Sequence, residues 1–202
     1  MANEPASKAV IVFDVGGVLV AHDNNLMFRT LASRCAAPDA LAYLTSRNFG
    51  LADGKRHISS VHQELARELG YSGDWELFKS DICCHFTLDP SMMEFAARLA
   101  ETNRLVLFSN TFDVHWDYVL KLHDGALAKF EWYASHLIRD AKPAESAFRK
   151  VAQLAAIDPA RSIFVDDLAE NVAAAQHVGF NAHLFVSQPV LERFLRDVGV
   201  AW

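Results

Sequence analysis

Residues 9–17, near the start of the chain, read AVIVFDVGG. The first five of these residues are apolar and mostly β-branched, which is typical of a strand that is buried on both faces. Asp14 follows the run directly, and Gly16 and Gly17 then interrupt the pattern. Ligands bind at the carboxyl ends of the strands in an open parallel sheet. The stretch therefore predicts a buried parallel strand that presents a carboxylate to a ligand site.

Strand and helix patterns alternate in the second half of the chain. Apolar runs predict three further strands, at residues 105–108, 162–165 and 182–186, with residues 130–138 as a weaker candidate. Helical patterns are found at residues 92–101, 112–122, 143–156, 169–178 and 190–198. This alternation is typical of a parallel sheet with helices on both faces. We therefore predict an α/β fold with a Rossmann-like, doubly wound parallel sheet.

The segment between the first strand and Pro90 has a different pattern. Apolar residues recur there at helical spacing, in residues 25–34, 38–46, 59–69 and 74–86, and no strand pattern is evident. The segment enters the chain directly after the first strand, as a lid over a ligand site would. We predict a small all-helical cap at residues 21–87 and a catalytic core formed by residues 1–20 and 88–202.

Composition excludes several classes of protein. The chain has 202 residues, of which 51% are apolar and 22% charged, and its net charge is -6. Nucleic-acid binding is not expected, because it needs clustered Lys and Arg. A membrane partner is not expected either, since no apolar run approaches the roughly 18 residues that span a bilayer. With three cysteines and no basic leader, the sequence suggests a cytoplasmic protein. Monomer and homodimer both remain open.

Four groups of polar residues follow predicted strands or precede a predicted helix. They are Asp14, Ser109-Asn110-Thr111, Lys142 and Asp166-Asp167. Phosphoryl transfer needs such a set: a nucleophile, a divalent cation and donors for the phosphate oxygens. A carboxylate can attack phosphorus and form an acyl phosphate, which water then opens. Carboxylate oxygens are also the ligands that Mg²⁺ prefers, and a lysine supplies positive charge for the phosphate.

The four groups resemble the four ordered motifs of the haloacid dehalogenase superfamily. The matching stretches are residues 13–19 (FDVGGVL), 107–111 (LFSNT), 142–143 (KP) and 164–167 (FVDD), the last followed by Asn171. The helical segment resembles the small cap of one branch of that superfamily in position and size. The resemblance implies a capped hydrolase that uses an aspartyl-phosphate intermediate and Mg²⁺.

The resemblance also implies roles for individual residues. Asp14 is expected to be the nucleophile, with Lys142 as the second catalytic residue. Mg²⁺ is expected to bind Asp14, the backbone carbonyl of Gly16, and Asp167, with Asp166 either as a further ligand or as a supporting residue. Phosphate is expected to bind Ser109, Asn110 and Lys142. Ser109 or Thr111 is also expected to cap the helix that begins near Phe112.

Gly16 departs from the usual phosphatase motif, which has a second aspartate there for proton transfer. A glycine cannot transfer a proton, so another group or a good leaving group is needed. His22, Asp23 and Asn24 are candidates for such a group, although they also suit a polar hinge. Sugar-1-phosphates have good leaving groups, and the Asp-x-Gly-x-Val motif resembles that of glucose-1-phosphatases. A small phosphorylated metabolite is therefore the expected substrate.

Two other functions are compatible with the absence of this aspartate. The 2-haloacid dehalogenases of the same superfamily also lack it, and they use no metal. The pair Asp166-Asp167 argues against them, because two carboxylates beside the nucleophile raise its pKa unless a cation lies between them. The third possibility is a ligand-binding or regulatory member of the superfamily with weak catalytic activity.

Overall fold

A computed structural model describes residues 8–202 of the chain. Its central sheet has five parallel strands, which are β1 (Val10–Phe13), β4 (Arg104–Ser109), β5 (Glu131–Ala134), β6 (Ser162–Asp166) and β7 (Asn181–Leu184). Their order across the sheet is β5-β4-β1-β6-β7. The first strand is thus central, with β4 and β6 as its two neighbours. Because all five strands are parallel, their carboxyl ends lie along one edge of the sheet.

Helices cover both faces of this sheet, as expected from the alternating pattern. Strand residues such as Ile11 and Phe13 belong to one apolar cluster, with residues of α5 (Pro90–Thr102), α6 (Asp113–Gly125) and α10 (Gln188–Asp197). Val12 belongs to a second cluster, with α8 (Glu145–Leu154) and α9 (Ala169–Val178). Successive strand side chains point to opposite faces, which explains the separation. The α/β fold with a doubly wound parallel sheet is confirmed.

Some predicted boundaries were wrong in the core. Residues 130–138 do not form one strand: β5 ends at Ala134 and the short helix α7 (Ser135–Ile138) follows at once. The helix predicted for residues 143–156 begins at Glu145, so Pro143 precedes it and is not in its first turn. The last strand is Asn181–Leu184, two residues shorter at its end than predicted. Apolar runs do not mark where hydrogen bonding to a neighbouring strand stops.

Four helices lie between the first strand and Pro90. They are α1 (Asn24–Ala32), α2 (Ala40–Thr45), α3 (Ile58–Leu69) and α4 (Trp75–Cys83), close to the predicted ranges. Their buried residues form an apolar cluster of their own, which includes Leu44, Leu65 and Phe78. Phe112 and Val114 of the core pack against that cluster. The helices thus have their own apolar core, which packs against the parallel-sheet core near α6.

The cap segment also contains strands, which the sequence analysis missed. Val20–His22 (β2) and Phe86–Leu88 (β3) pair as an antiparallel two-stranded sheet where the chain enters and leaves the helices. Each strand has only three residues, too few for an alternating pattern to be visible. The exact division into residues 21–87 and the two core segments stays a prediction, and residues 1–7 of the first segment lie outside the described part.

Among residues 8–202, none of the helices combines the length and the apolarity that crossing a lipid bilayer would take. The predicted cytoplasmic location stays a prediction.

Candidate active site

The sheet topology brings the predicted site residues together. Asp14 follows the central strand β1, Ser109 ends β4 and Asp166 ends β6, and these three strands are neighbours. One carboxylate oxygen from each of Asp14, Asp166 and Asp167 lies within 4.8 Å of the other two. Residues about 150 positions apart in the sequence therefore form one acidic cluster.

Lys142 lies in the middle of this cluster, and it is almost fully buried. Its Nζ is 2.9 Å from Asp14 Oδ1 and 2.7 Å from Asp166 Oδ2, and it donates a hydrogen bond to the Phe108 carbonyl at 3.0 Å. Burial alone would lower the pKa of Lys142, but the two carboxylates raise it above its usual value. The side chain is therefore a fixed cation whose three donors all have partners.

Asp14 is buried, and its surroundings favour the protonated form while no metal is bound. Burial raises the pKa of Asp14 to about 7, and Asp166 adds to the rise, although Lys142 opposes it. Its Oδ1 accepts a hydrogen bond from the Val15 amide at 2.6 Å as well as contacting Lys142. One carboxylate oxygen is thus held in place by protein donors, and Asp14 lines the cavity.

Asp166 differs from its neighbour Asp167. Its side chain is fully buried, and both carboxylate oxygens accept hydrogen bonds, Oδ1 from the Leu168 amide at 2.9 Å and both from Asn171 Nδ2 at 2.9 and 3.0 Å. Asp167 is half-buried and lines the cavity. Burial and then Asp166 raise the pKa of Asp167. Protein donors therefore occupy both carboxylate oxygens of Asp166, whereas the carboxylate of Asp167 lines the cavity.

Asn110 and Lys142 are joined through a reciprocal pair of hydrogen bonds. Asn110 Nδ2 donates to the Lys142 carbonyl at 2.7 Å, and the Lys142 amide donates to Asn110 Oδ1 at 2.9 Å. The asparagine side chain thus holds the backbone of Lys142. The predicted role of Asn110 in phosphate binding stays a prediction. Ser109 is buried and lines the cavity.

Neither Ser109 nor Thr111 caps helix α6, so the capping expectation was wrong. The residue at the N-cap position is Phe112, which has no side-chain hydrogen bond to the helix. The Thr111 amide instead donates to Ser135 Oγ at 2.9 Å, and the Ser135 hydroxyl donates to the Thr111 carbonyl at 3.1 Å. Ser135 is completely buried at the end of β5. Ser135 therefore holds the backbone of Thr111 in the second motif, and no pattern in the neighbouring sequence predicts that role.

Gly17 has a close contact that requires glycine. Its φ is +74°, in the left-handed region, and a Cβ atom at this position would lie 2.2 Å from Asp167 Oδ2. From the sequence, Gly17 was expected only to interrupt the apolar pattern after the first strand. The absent side chain at position 17 makes room for the carboxylate of Asp167.

Gly16 faces a histidine of the cap strand β2. A Cβ atom on Gly16 would lie 3.3 Å from His22 Cδ2 and 3.5 Å from its Nε2. The His22 ring therefore lies next to the position where related phosphatases carry an aspartate.

Two further histidines, His85 and His115, line the same cavity, and burial lowers their pKa values to about 4 and about 3. Both are neutral near pH 7.

The cavity above the acidic cluster has a volume of about 380 Å³. Its floor is formed by Asp14, Ser109, Lys142 and Asp167, and its roof by cap residues that include His22. The donor set fits Mg²⁺, because one carboxylate oxygen from each of three aspartates, the hard ligand type that Mg²⁺ prefers, lies within 4.8 Å of the other two. The site thus combines a buried carboxylate, a fixed cation and a group of oxygen ligands at the base of a covered cavity.

The sequence matches a family model described as haloacid dehalogenase-like hydrolase over residues 8–179. No curated protein matches the chain. Solved structures do: a predicted HAD-like family hydrolase from Porphyromonas gingivalis is similar at 25% identity, with a TM-score of 0.79 over 95% of this chain and 99% of that one.

Two more solved structures have lower sequence identity and share the fold. A HAD family enzyme from Bacteroides thetaiotaomicron, in complex with magnesium and inorganic phosphate, is 20% identical with a TM-score of 0.80, over 90% of this chain and 96% of that one. An L-2-haloacid dehalogenase from Xanthobacter autotrophicus is 19% identical with a TM-score of 0.63, over 96% and 85%.

Proposed function

Because the chain belongs to the haloacid dehalogenase-like hydrolases, we propose that it is a Mg²⁺-dependent phosphomonoesterase that acts on a small phosphorylated metabolite. The observation that carries this proposal is the contact between the buried Lys142 and Asp14, within an acidic cluster that can hold a divalent cation. Such a site offers a nucleophile, a metal and a phosphate-binding charge together. These are the three requirements of phosphoryl transfer through a covalent intermediate.

In this proposal Asp14 is the nucleophile. One of its carboxylate oxygens attacks phosphorus, a bond forms between that oxygen and phosphorus, and the bond to the alcohol oxygen breaks. Water then attacks the phosphorus of the aspartyl phosphate, which releases inorganic phosphate and restores the carboxylate. The fixed position of Oδ1, bonded to the Val15 amide and Lys142, supports the assignment because it limits the motion of the attacking group.

Lys142 and Ser109 have the role of holding the phosphoryl group. The lysine cation opposes the repulsion between an anionic nucleophile and an anionic substrate. Its contacts with Asp166 and the Phe108 carbonyl keep the ammonium at one place, so no reorganisation is needed when charge develops in the transition state. Asn110 positions the backbone of Lys142 and thus acts on the phosphate through the lysine.

Mg²⁺ is proposed to bind Asp14, the carbonyl of Gly16, and Asp167, where it would supply positive charge for the phosphoryl oxygens. The raised pKa values of Asp14 and Asp167 support this choice, because a bound cation would stabilise the two charges that burial disfavours. Asp166 is better suited to positioning Lys142, since both of its oxygens already have protein donors. The magnesium and phosphate complex of the Bacteroides thetaiotaomicron enzyme is consistent with such a site.

The glycine at position 16 favours substrates with good leaving groups. Without an aspartate there, departure of the alcohol receives less help from a proton donor. Sugar-1-phosphates are one class that meets this condition. The corresponding proposal is that the protein is one of the capped, glucose-1-phosphatase-like members of the superfamily. His22, beside Gly16, is the group in a position to contact the leaving group.

A dehalogenase is the alternative enzyme, and an L-2-haloacid dehalogenase shares the fold. The acidic cluster argues against it: Asp166 raises the pKa of Asp14, and a metal-free enzyme would gain nothing from a second and third carboxylate beside its nucleophile. A ligand-binding or regulatory protein with weak activity is the alternative from another class. Such a protein would retain the site residues but would not turn over a substrate efficiently.

Phosphate release over a panel of phosphorylated metabolites, with Mg²⁺ and with a chelator, separates these functions. We expect release that needs Mg²⁺ and is lost with chelator. Chloride release from 2-haloacids in the presence of chelator would instead support the dehalogenase. Binding of phosphorylated ligands without any release would support the regulatory alternative.

A further inference from the structure

A second cavity, of about 410 Å³, lies beneath the cap helices. Its wall contains buried side chains from all four helices, among them Leu31, Leu44, Val61 and Phe78. The loop that joins α2 to α3 closes one side through Phe49, Leu51 and Ala52. The wall is therefore apolar over most of its surface.

The second cavity adjoins the catalytic cavity. Asn110, Thr111 and His115 line both, so the two spaces lie side by side at the second motif and the first turn of α6. Asn110 is hydrogen-bonded to the backbone of Lys142, which contacts Asp14. The space under the cap is therefore adjacent to the proposed phosphate position at Lys142, and His115 borders both cavities.

Polar partners for a hydroxyl-rich group are scarce in this second cavity. Among the described residues that line it, Arg47 is the single charged one, and it is already paired with Glu64 at 3.1 Å and stacked over the Tyr43 ring at 4.1 Å. His115 Nε2 is hydrogen-bonded to the Ile82 carbonyl at 3.0 Å. A sugar would lose hydrogen bonds to water there without replacing them, which is unfavourable.

We propose that the organic group of the substrate is apolar and lies in this cap cavity, so that the enzyme prefers aryl and alkylaryl phosphate monoesters to glycosyl phosphates. The inference rests on the proposed phosphatase function and replaces its sugar-phosphate option with an apolar aryl alcohol. An aryl alcohol is also a good leaving group, as the glycine at position 16 requires. The volume suffices, since a cavity of about 150 Å³ holds benzene in another protein.

The test measures binding and turnover of a matched series: phenyl, 4-methylphenyl, 4-ethylphenyl and 4-propylphenyl phosphate, and the corresponding phosphonates. The leaving groups of this series are nearly equivalent, so differences report on the apolar group. We expect kcat/KM to rise and the Kd of the phosphonates to fall by about fourfold per added carbon. A 4-(hydroxymethyl)phenyl group of similar size to the ethyl group, and glucose-1-phosphate, should be poorer than the ethyl compound.

Substitutions in the loop that joins α2 to α3 test whether the apolar group of the substrate lies in the second cavity. Ala52→Phe and Leu51→Trp fill the cavity from a loop, outside the helices of the cap, and each should reduce the increment per carbon to less than 1.5-fold, on the basis of about 0.8 kcal/mol lost per excluded methylene. Ala42→Phe, the same substitution on an exposed position of α2, should keep the wild-type increment. Thermal unfolding checks that all three variants fold.

Two results would overturn the inference. The first is that Kd and kcat/KM do not change with the number of added carbons, or that the hydroxymethyl compound binds more tightly than the ethyl compound. The second is that both loop variants keep the wild-type improvement per added carbon. Failure of the phosphatase function is seen separately, because the phosphonate Kd values report on the apolar cavity even if no phosphate is released.

Discussion

The Nζ atom of Lys142 lies 2.9 Å from Oδ1 of Asp14, and both side chains are buried. The same ammonium binds Asp166 at 2.7 Å, and Asp166 is in turn held by Asn171 and the Leu168 amide. The proposed nucleophile thus depends on a chain of contacts that begins on helix α9 and reaches β1 through a lysine in a loop. Each link has a chemical consequence that can be measured.

Lys142→Met should reduce kcat/KM by at least about 100-fold, because it removes the cation that faces the phosphoryl group. It should also lower the free energy of unfolding by about 3 kcal/mol near pH 8, since Asp14 and Asp166 lose their buried counter-charge. The destabilisation should be smaller near pH 5, where Asp14, whose pKa burial raises to about 7, can take up a proton. Lys121→Met, on the exposed face of α6, is the control, and an equal effect of both variants would contradict this role.

Gly17→Ala should impair the Mg²⁺ site. The added Cβ atom would lie 2.2 Å from Asp167 Oδ2, so the carboxylate must move. Gly50→Ala is a matched control, because Gly50 has a similar positive φ of +65° and no atom within 4 Å of its added Cβ. Both variants should lose about 1 to 2 kcal/mol from backbone strain, but only Gly17→Ala should weaken the Mg²⁺ dependence of phosphate release. Unchanged Mg²⁺ titrations for Gly17→Ala would refute the argument.

Gly16→Asp tests the leaving-group argument. The new side chain meets His22, so the double variant Gly16→Asp/His22→Ala gives it more room than the single variant. We expect the double variant to gain activity mainly on alkyl phosphates, whose leaving groups need a proton donor, by about 10-fold or more. His22→Ala alone serves as the reference. An equal change for alkyl and aryl phosphates would show that position 16 does not govern leaving-group assistance.

His85 should make stability depend on pH. Burial lowers its pKa from 6.5 to about 4, and both ring nitrogens lack partners among the described residues. The unfolded chain therefore binds a proton between about pH 6.5 and 4 that the folded chain does not, so stability falls as pH falls through this range.

His85→Phe should remove about 1 to 2 kcal/mol of the loss in unfolding free energy between pH 7.5 and pH 5. Phenylalanine suits the site, since the His85 ring already packs 4.0 Å from that of Phe86. Urea unfolding at the two pH values measures the change, with the exposed His177→Phe as control. A pH dependence equal to that of wild type would argue against a buried neutral His85.

The sequence was sufficient to predict the strands that carry the site. Residues 105–108 and 162–165 are apolar runs long enough to be recognised, and the polar residues that follow them meet because parallel strands share one edge. The order of the motifs made Asp14, Lys142 and Asp167 predictable as partners before any distance was known.

Other features depend on contacts between distant parts of the chain. The strands Val20–His22 and Phe86–Leu88 have three residues each, and their pairing across the whole cap leaves no local pattern. The hydrogen bonds between the Asn110 side chain and the Lys142 backbone join residues 32 positions apart, and no local pattern predicts them. Ser135, which braces Thr111, follows no motif at all. These roles become apparent only when the tertiary structure is known.

The most direct test of the central claim is the rate of phosphate release by Asp14→Asn, compared with wild type at saturating Mg²⁺ on the best substrate of the panel. The substitution keeps the shape of the side chain and removes the nucleophilic carboxylate oxygen. We predict a rate at least about 1,000-fold lower for the variant, because no aspartyl phosphate can form. A variant that folds and releases phosphate as fast as wild type would contradict the assignment of Asp14 as the nucleophile.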